Sequence, residues 1–182
     1  HVLSGRIFYY LMLSVAITAV VISTVKLNLF LLLIAGFAFY QNVSGYRSVR
    51  NKGLRPGITD WLVTGIGLVT AVCMILTLNT VLLVFGGISL FLVGSDIRTY
   101  SQILRGKSAP RLEWLSRHIG MMMGSYIATV TAFVVVNIQH VEPEWIPWLL
   151  PTVVGVPLMQ YWTWKYTRRK QPAKVTVTEK QH

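Results

Sequence analysis

The sequence predicts an all-α polytopic membrane protein, with six transmembrane helices arranged as three antiparallel hairpins in one bundle. Two observations predict this class. Hydrophobic residues make up 53% of the 182-residue chain and charged residues only 13%, and the hydrophobic residues form long runs instead of alternating with polar ones. Several runs reach the roughly 20 residues that a helix needs to cross a bilayer. We therefore expect the lipid bilayer to be the main partner of the surface.

The hydrophobic runs divide the chain into spans and connections. The six predicted spans cover residues 5–25, 29–45, 58–78, 80–100, 112–138 and 147–166. Together they predict a transmembrane domain over residues 1–170, with hairpins at 5–50, 58–105 and 111–169. Residues 171–182 are basic and polar, and we expect them to form a disordered cytoplasmic tail.

The basic residues predict the orientation of the chain. The sequence has 17 Lys and Arg, 6 Asp and Glu, and a formal net charge of +11. On the predicted topology every basic residue except Lys26 lies on one side of the membrane. Basic residues collect in cytoplasmic loops, so we expect both termini to be cytoplasmic. The single cysteine, Cys73, excludes an internal disulfide.

Two of the hairpins resemble each other in sequence. The stretch NLFLLLIAGFAFYQNVSGYRSV, from Asn28, aligns in the same direction with NTVLLVFGGISLFLVGSDIRTY, from Asn79. The alignment matches the two asparagines and also matches Arg47 with Arg98. A duplicated hairpin is one interpretation, and chance similarity between apolar helices with basic ends is the other.

The fifth predicted helix carries the polar groups that a lipid-facing helix does not need. His118, Met122, Ser125, Tyr126, Thr129 and Phe133 are related by spacings of three and four residues, which is typical of one helix face. We expect that face to point into the bundle, because polar groups in hydrocarbon are costly. Hydrogen bonding between helices is one explanation of this face, and a ligand site is the other.

Other polar residues are expected at the same depth, near the cytoplasmic side. Arg6 opens the first helix, and Asp96 and Arg98 close the fourth. An acid within a span needs a partner, and Arg6 or Arg117 is the expected partner of Asp96. Asp60 is interpreted as an acid in the first turn of its helix.

Three short segments resemble motifs of a broad group of bacterial multi-pass membrane proteins of uncharacterised activity. The segments are HVLSGRIFYYLML, SGYRSVRNKG and RHIGMMMGSYIA. The matching positions are His1, Gly5, Arg6, Gly45, Tyr46, Arg47, His118, Met122, Ser125 and Tyr126. The chain departs from that group by the hairpin at residues 58–105. The resemblance implies a related fold and a bacterial inner membrane, and it implies no activity.

The leading functional hypothesis is a bundle that binds a small ligand or a cofactor near the cytoplasmic side, around His118. His1 and His118 are predicted to start their helices on the same side, so they are the candidate ligands of a haem b or of another metal. Met122 is an alternative soft ligand.

The alternatives are a small-solute transporter and a non-catalytic accessory or structural subunit. Either one can form a homo-oligomer or part of a larger membrane complex, with anionic lipid headgroups against its basic face. Nucleic acid is not expected, because topology already explains the basic residues. The sequence contains no G-x-S-x-G or H-E-x-x-H motif, so it assigns no catalytic residue.

Overall fold

The computed structural model describes residues 2–138 and 142–168, and within these ranges every regular element is a helix. The six helices are α1 (Val2–Val25), α2 (Leu29–Arg50), α3 (Ile58–Leu76), α4 (Thr80–Leu104), α5 (Glu113–Asn137) and α6 (Trp145–Arg168). The predicted all-α class is therefore confirmed. His1 and the tail at 171–182 lie outside the described residues.

Five of the six helices, α1 to α5, are long and apolar enough to cross a membrane. This finding indicates a helical, multi-pass membrane bundle. Although α6 has 24 residues, it is not among the five. Its length is sufficient, but Pro151, Pro157, Gln160 and Lys165 interrupt its apolar residues, and they lower its hydropathy.

The centre of the bundle is α2, which packs against α1, α3, α4 and α5. It is buried along half of its span, whereas α1 is buried along 17%. Consecutive helices pack in pairs, α1 with α2, α3 with α4 and α5 with α6, and α6 also contacts α4. Large apolar side chains such as Leu3, Leu11 and Phe91 are exposed on the outside, as expected for a surface that contacts lipid.

The bundle has two different ends. We call the end where α1, α3 and α5 begin and α2, α4 and α6 end the basic end, because it carries most of the Lys and Arg residues. A core cluster near this end contains Tyr40, Val63, Val93 and Met121. A second cluster lies farther along the bundle, around Phe37 and the buried residues of α3 and α4. The two ion pairs described below lie between the first cluster and the basic end.

The turns between α1 and α2 and between α3 and α4 share two features. Leu27 and Leu78 take left-handed backbone angles, with φ of 50° and 54°. The next residue, Asn28 or Asn79, caps the following helix, and its side-chain oxygen accepts a hydrogen bond from a backbone N–H of the first turn. The two sequence repeats therefore begin with similar turns, and duplication and chance similarity both stay open as interpretations.

This shared turn provides a stability prediction. A left-handed conformation costs an L-residue roughly 1 to 2 kcal/mol, and glycine adopts it without that cost. The Leu78 side chain is 79% exposed, so little packing is lost with it. We expect Leu78→Gly to raise the free energy of unfolding by about 1 kcal/mol, measured by denaturation with sodium dodecyl sulfate in mixed micelles. The control, Leu76→Gly in the last turn of α3, should lower it; an equal loss in both variants would contradict the prediction.

Candidate functional site

A buried ion pair joins α4 and α5 near the basic end. Asp96 is 3% exposed, and Nη2 of Arg117 donates to its Oδ2 atom over 2.7 Å. The hydroxyl of Tyr40, on α2, donates to the same oxygen over 2.7 Å. Arg117 also donates to the hydroxyl of Tyr100 over 2.7 Å. Arg117 was one of the two expected partners of Asp96, and this expectation is confirmed.

A second ion pair joins α2 and α3. Arg47 donates two hydrogen bonds to Asp60, from Nε to Oδ1 over 2.7 Å and from Nη2 to Oδ2 over 2.8 Å. The Oδ2 atom also accepts the backbone N–H of Gly57 over 2.9 Å. Asp60 therefore caps α3, as its position in the sequence predicts, and it also binds the arginine at the end of α2.

The two ion pairs belong to one polar cluster. Arg47, Asp60, Tyr100 and Arg117 line the same small space at the basic end. Each cation in this cluster has one carboxylate, so the four charges balance. A buried charge is costly unless it is paired and hydrogen-bonded. The cluster meets this condition, and it connects α2, α3, α4 and α5 at one level of the bundle.

A large cavity lies between α2, α4, α5 and α6. We call it the apolar cavity; its volume is about 600 Å³, within the range of about 300 to 1,000 Å³ typical of small-molecule sites. Its lining residues are Phe37, Gln41, Phe85, Gly87, Ile88, Phe91, Leu92, Gly120, Gly124, Ile127, Ala128, Thr152, Val153, Val156, Pro157, Met159 and Gln160. Phe91 and Val153 are 74% and 66% exposed, so the cavity opens between α4 and α6 toward the lipid.

Two buried polar atoms in the lining of the apolar cavity have no hydrogen-bond partner among the residues that the structure describes. They are Oε1 of Gln41 and the hydroxyl oxygen of Thr152, on residues that are 3% and 8% exposed. Gly124 makes room for the Gln41 side chain, because a Cβ at that position would lie 2.8 Å from Oε1. Unsatisfied buried acceptors are rare, and each one requires an explanation. A bound molecule that donates a hydrogen bond would provide one.

A smaller and more polar cavity of about 160 Å³ adjoins the apolar cavity. We call it the polar cavity; its polar lining residues are Ser95, Asp96, Thr99, Glu113, Ser116, Arg117, Gln160 and Thr163. Leu92, Gly120, Met159 and Gln160 line both cavities, so the two spaces are adjacent. The polar cavity lies toward the basic end, and the apolar cavity extends from it along the bundle. The pair has the shape and polarity of a site for an amphipathic molecule.

His118 lies on another face of α5 and lines a separate space. Its Nδ1 atom is 2.9 Å from the carbonyl oxygen of Gly45. A carbonyl can only accept, so Nδ1 carries the hydrogen in this bond, and Nε2 is the ring nitrogen left for a ligand. We call this space, of about 150 Å³, the His118 cavity. Its volume is below that of drug-sized sites, and it therefore favours an ion or a small polar group over a haem.

The structure separates the residues that the sequence grouped on one face of α5. Ser125 is completely buried, whereas Tyr126 is 53% exposed. The prediction that Tyr126 points into the bundle is therefore wrong. Met122 lies against Gly45, since its sulfur would be 3.0 Å from a Cβ at that glycine. Thr129 donates to the sulfur of Met12 on α1 over 3.0 Å, so part of this face makes contacts between helices.

The other predicted site residues have different positions. Arg6 and Tyr46 line the His118 cavity, so this space brings together residues from all three motifs of the resemblance. Arg98 is exposed and contributes to neither the apolar nor the polar cavity. His1 lies outside the described residues. In the described part of the chain, no three or more His, Cys, Asp or Glu side chains are grouped to hold a metal ion.

Sequence reasoning missed the residues of α2 that contact the site. Tyr40, Gln41 and Asn42 are consecutive polar side chains inside an apolar run, and all three are buried. Tyr40 binds Asp96, Gln41 lines the apolar cavity, and the Asn42 amide donates to the carbonyl of Tyr9 over 3.0 Å. An available signal was the position of these three consecutive groups inside a predicted span.

Comparison with known proteins gives no match: no family model, no curated protein and no solved structure matches this chain. The resemblance to the bacterial membrane group therefore stays a prediction based on the three motifs. The cavities and the charges of the chain itself are the features that point to a function.

Proposed function

We propose that the chain is a multi-pass membrane protein that binds a small amphipathic molecule inside its bundle. The apolar part of the molecule occupies the apolar cavity, and its polar head occupies the polar cavity. The observation that carries this proposal is the adjacency of the two cavities, which share Leu92, Gly120, Met159 and Gln160. The opening between α4 and α6 gives such a molecule a route from the bilayer.

The charges of the polar cavity select the head group. Asp96 and Glu113 contribute two carboxylates, and Arg117 contributes one cation that is already paired with Asp96. A carboxylate or phosphate head would face an excess of negative charge there. An uncharged head with hydroxyl groups, or a cationic one, meets hydrogen-bonding partners in Ser95, Ser116 and Gln160.

The proposal includes six spans, with α6 as the sixth, and both termini in the cytoplasm. The distribution of basic residues supports this orientation, because the loops at 51–57 and 105–112 contribute Lys52, Arg55, Arg105, Lys107 and Arg111 to one end. The polar cavity would then lie near the cytoplasmic face, in a bacterial inner membrane on the resemblance. The proposed ligand would then lie on the cytoplasmic side, as the sequence predicts, but against a different face of α5 from His118.

The other hypotheses relate to the same cavities. A small-solute transporter would have to bind its substrate inside the bundle, so a binding experiment also tests the first requirement of that alternative. An accessory subunit without a ligand would leave the cavities to lipid. Selectivity for the head group distinguishes a dedicated site from a space that any lipid fills.

A bulky residue at Gly120 provides the test. Gly120 borders both cavities, and a Cβ there would meet nothing within 4 Å, so a leucine can fill the junction without a clash at its Cβ. We expect the wild-type protein, titrated in detergent and analysed by native mass spectrometry, to bind monoolein more tightly than oleate, which has the same tail and a charged head. Gly120→Leu should weaken monoolein binding by about tenfold or more.

The matched control is Gly94→Leu on α4. Gly94 also has open space around its Cβ position, and it lines neither cavity. This variant should bind monoolein like the wild type. Equal binding of monoolein and oleate, or equal binding by the two leucine variants, would contradict the proposal.

A further inference from the structure

The His118 cavity is formed by the beginning of α1, the end of α2 and the beginning of α5. Its lining consists of Val2, Gly5, Arg6, Tyr46, Val49, Arg50, His118 and Met122. None of these residues lines the apolar or the polar cavity. An inference about this space is therefore independent of the proposed function.

The charge of this cavity differs from that of the neighbouring polar cluster. Arg47 and Arg117 each bind a carboxylate. Arg6 and Arg50 lie at the same end of the bundle, but within the described ranges neither is in an ion pair with an acid. Among the described residues, the lining of the His118 cavity contains two arginines and no carboxylate. A ligand that balances this charge is an anion.

Aromatic contacts hold one of these arginines at the cavity. The Arg50 guanidinium lies 5.3 Å from the centre of the Tyr46 ring, a distance typical of a cation–π interaction. The Tyr46 ring is itself held in place, because it stacks on the Tyr9 ring with centroids 3.9 Å apart. The bond from His118 to the Gly45 carbonyl sets the orientation of the imidazole. Arg50 and the His118 ring are therefore positioned before a ligand arrives.

The size and charge of the cavity specify the anion. A space of about 150 Å³ accommodates one compact group and not a whole drug-sized molecule. A phosphate monoester carries a charge of about −1.5 to −2 near neutral pH, which balances two arginines, whereas a carboxylate balances one. Guanidinium groups bind phosphate with paired, charge-assisted hydrogen bonds.

We propose that the His118 cavity is a binding site for a phosphate-bearing group, held by Arg6 and Arg50 with His118 at its side. The phosphate comes from a lipid headgroup in the adjacent leaflet or from a soluble phosphate ester. Both sources present the same chemistry to the arginines, and the site lies where either can reach it, at the end of the bundle.

Two probes with the same head group distinguish the sources. Phosphatidic acid carries the phosphate monoester on a lipid, and glycerol 3-phosphate carries it in water. The full chain in dodecylmaltoside is titrated with each probe, and binding is followed by native mass spectrometry and by the rise in Tm that a ligand of the folded state produces. Binding of phosphatidic acid alone identifies a lipid site. Binding of both probes identifies a site that also accepts soluble phosphates.

The variants Arg6→Gln and Arg50→Gln remove one cation each, and both should weaken binding of phosphatidic acid by about tenfold, since a hydrogen bond to a charged group contributes enough for that factor. The matched control is Arg105→Gln, which removes an exposed arginine at the same end and should change binding little. An equal loss in all three variants would show nonspecific attraction to the basic end. That result, or the absence of binding by both probes, would overturn the inference.

Discussion

Replacing Arg117 with methionine is expected to lower the free energy of unfolding by about 3 to 5 kcal/mol. Methionine is unbranched and apolar, so it fills much of the space of the arginine chain. The substitution removes the only cation that contacts Asp96 among the described residues. Asp96 is 3% exposed, so its carboxylate would remain in the bundle without a counter-charge. Tyr100 would also lose the donor to its hydroxyl. Denaturation with sodium dodecyl sulfate in mixed micelles, followed by circular dichroism, measures the loss.

Two further variants separate this explanation from a general effect of removing an arginine. Arg98→Met removes an exposed arginine two residues after Asp96, and it should change stability by less than about 1 kcal/mol. The double variant Arg117→Met with Asp96→Asn removes both charges and keeps an acceptor for the Tyr40 hydroxyl, and it should recover most of the stability. A double variant as unstable as Arg117→Met would show that the ion pair is not the cause of the loss.

The polar cluster and the proposed ligand site share one boundary. Asp96 and Arg117 line the polar cavity and also bind Tyr40 and Tyr100. Their side chains are fixed by contacts with α2 and α4, so the wall of the polar cavity is positioned by the same bonds that hold the helices together. Loss of the ion pair should therefore weaken ligand binding as well as stability. Gly120→Leu changes the cavity and leaves the pair intact, so the two effects can be measured separately.

The helices were predictable because hydropathy acts over long stretches of the chain. Runs of about 20 apolar residues determine α1 to α5 with little help from packing. The turns at Asn28 and Asn79 were also predictable, since an asparagine between two apolar runs is a typical helix cap. The sixth helix was predicted as well, but its prolines and polar residues lower its hydropathy, so among the described helices only α1 to α5 are apolar enough to span a membrane.

The error at Tyr126 has a geometric cause. Successive residues of a helix are rotated by about 100°, so Ser125, seven residues after His118, returns close to the same direction. Tyr126, eight residues after His118, is rotated by about 80° from it. Spacings of three and four residues can therefore connect side chains that end on different faces. The structure places Ser125 inside the bundle and Tyr126 on its surface.

The cavities could not be predicted, because they depend on residues from several helices at once. The apolar cavity requires the small residues Gly120 and Gly124 on α5 to lie opposite α4 and α6. A sequence pattern reports which face of one helix is polar, and it does not report how much space remains between four helices. The pairing of Arg47 with Asp60 was hidden for a related reason, since both residues have an adequate local explanation at a helix end.

Glycine at position 67 is the second position where a small change should have a large effect. Gly67 lies where α3 meets α2, and a Cβ there would be 2.8 Å from the Cγ and Cδ2 atoms of Tyr40 and 3.1 Å from Val93. The Tyr40 ring cannot move away freely, because its hydroxyl donates to Asp96 and its side chain is fully buried. We expect Gly67→Ala to lower the free energy of unfolding by about 1 to 3 kcal/mol through overpacking.

The neighbouring Gly65 provides the matched control on the same helix. A Cβ at that position meets nothing within 4 Å, so Gly65→Ala should leave stability unchanged or raise it by about 0.5 to 1 kcal/mol, as expected when alanine replaces glycine within a helix. The two variants have identical composition and differ only in the residues around the new methyl group. Equal stabilities would show that Tyr40 can move away from α3 without cost, and therefore that its bond to Asp96 does not hold α2 and α4 at a fixed distance.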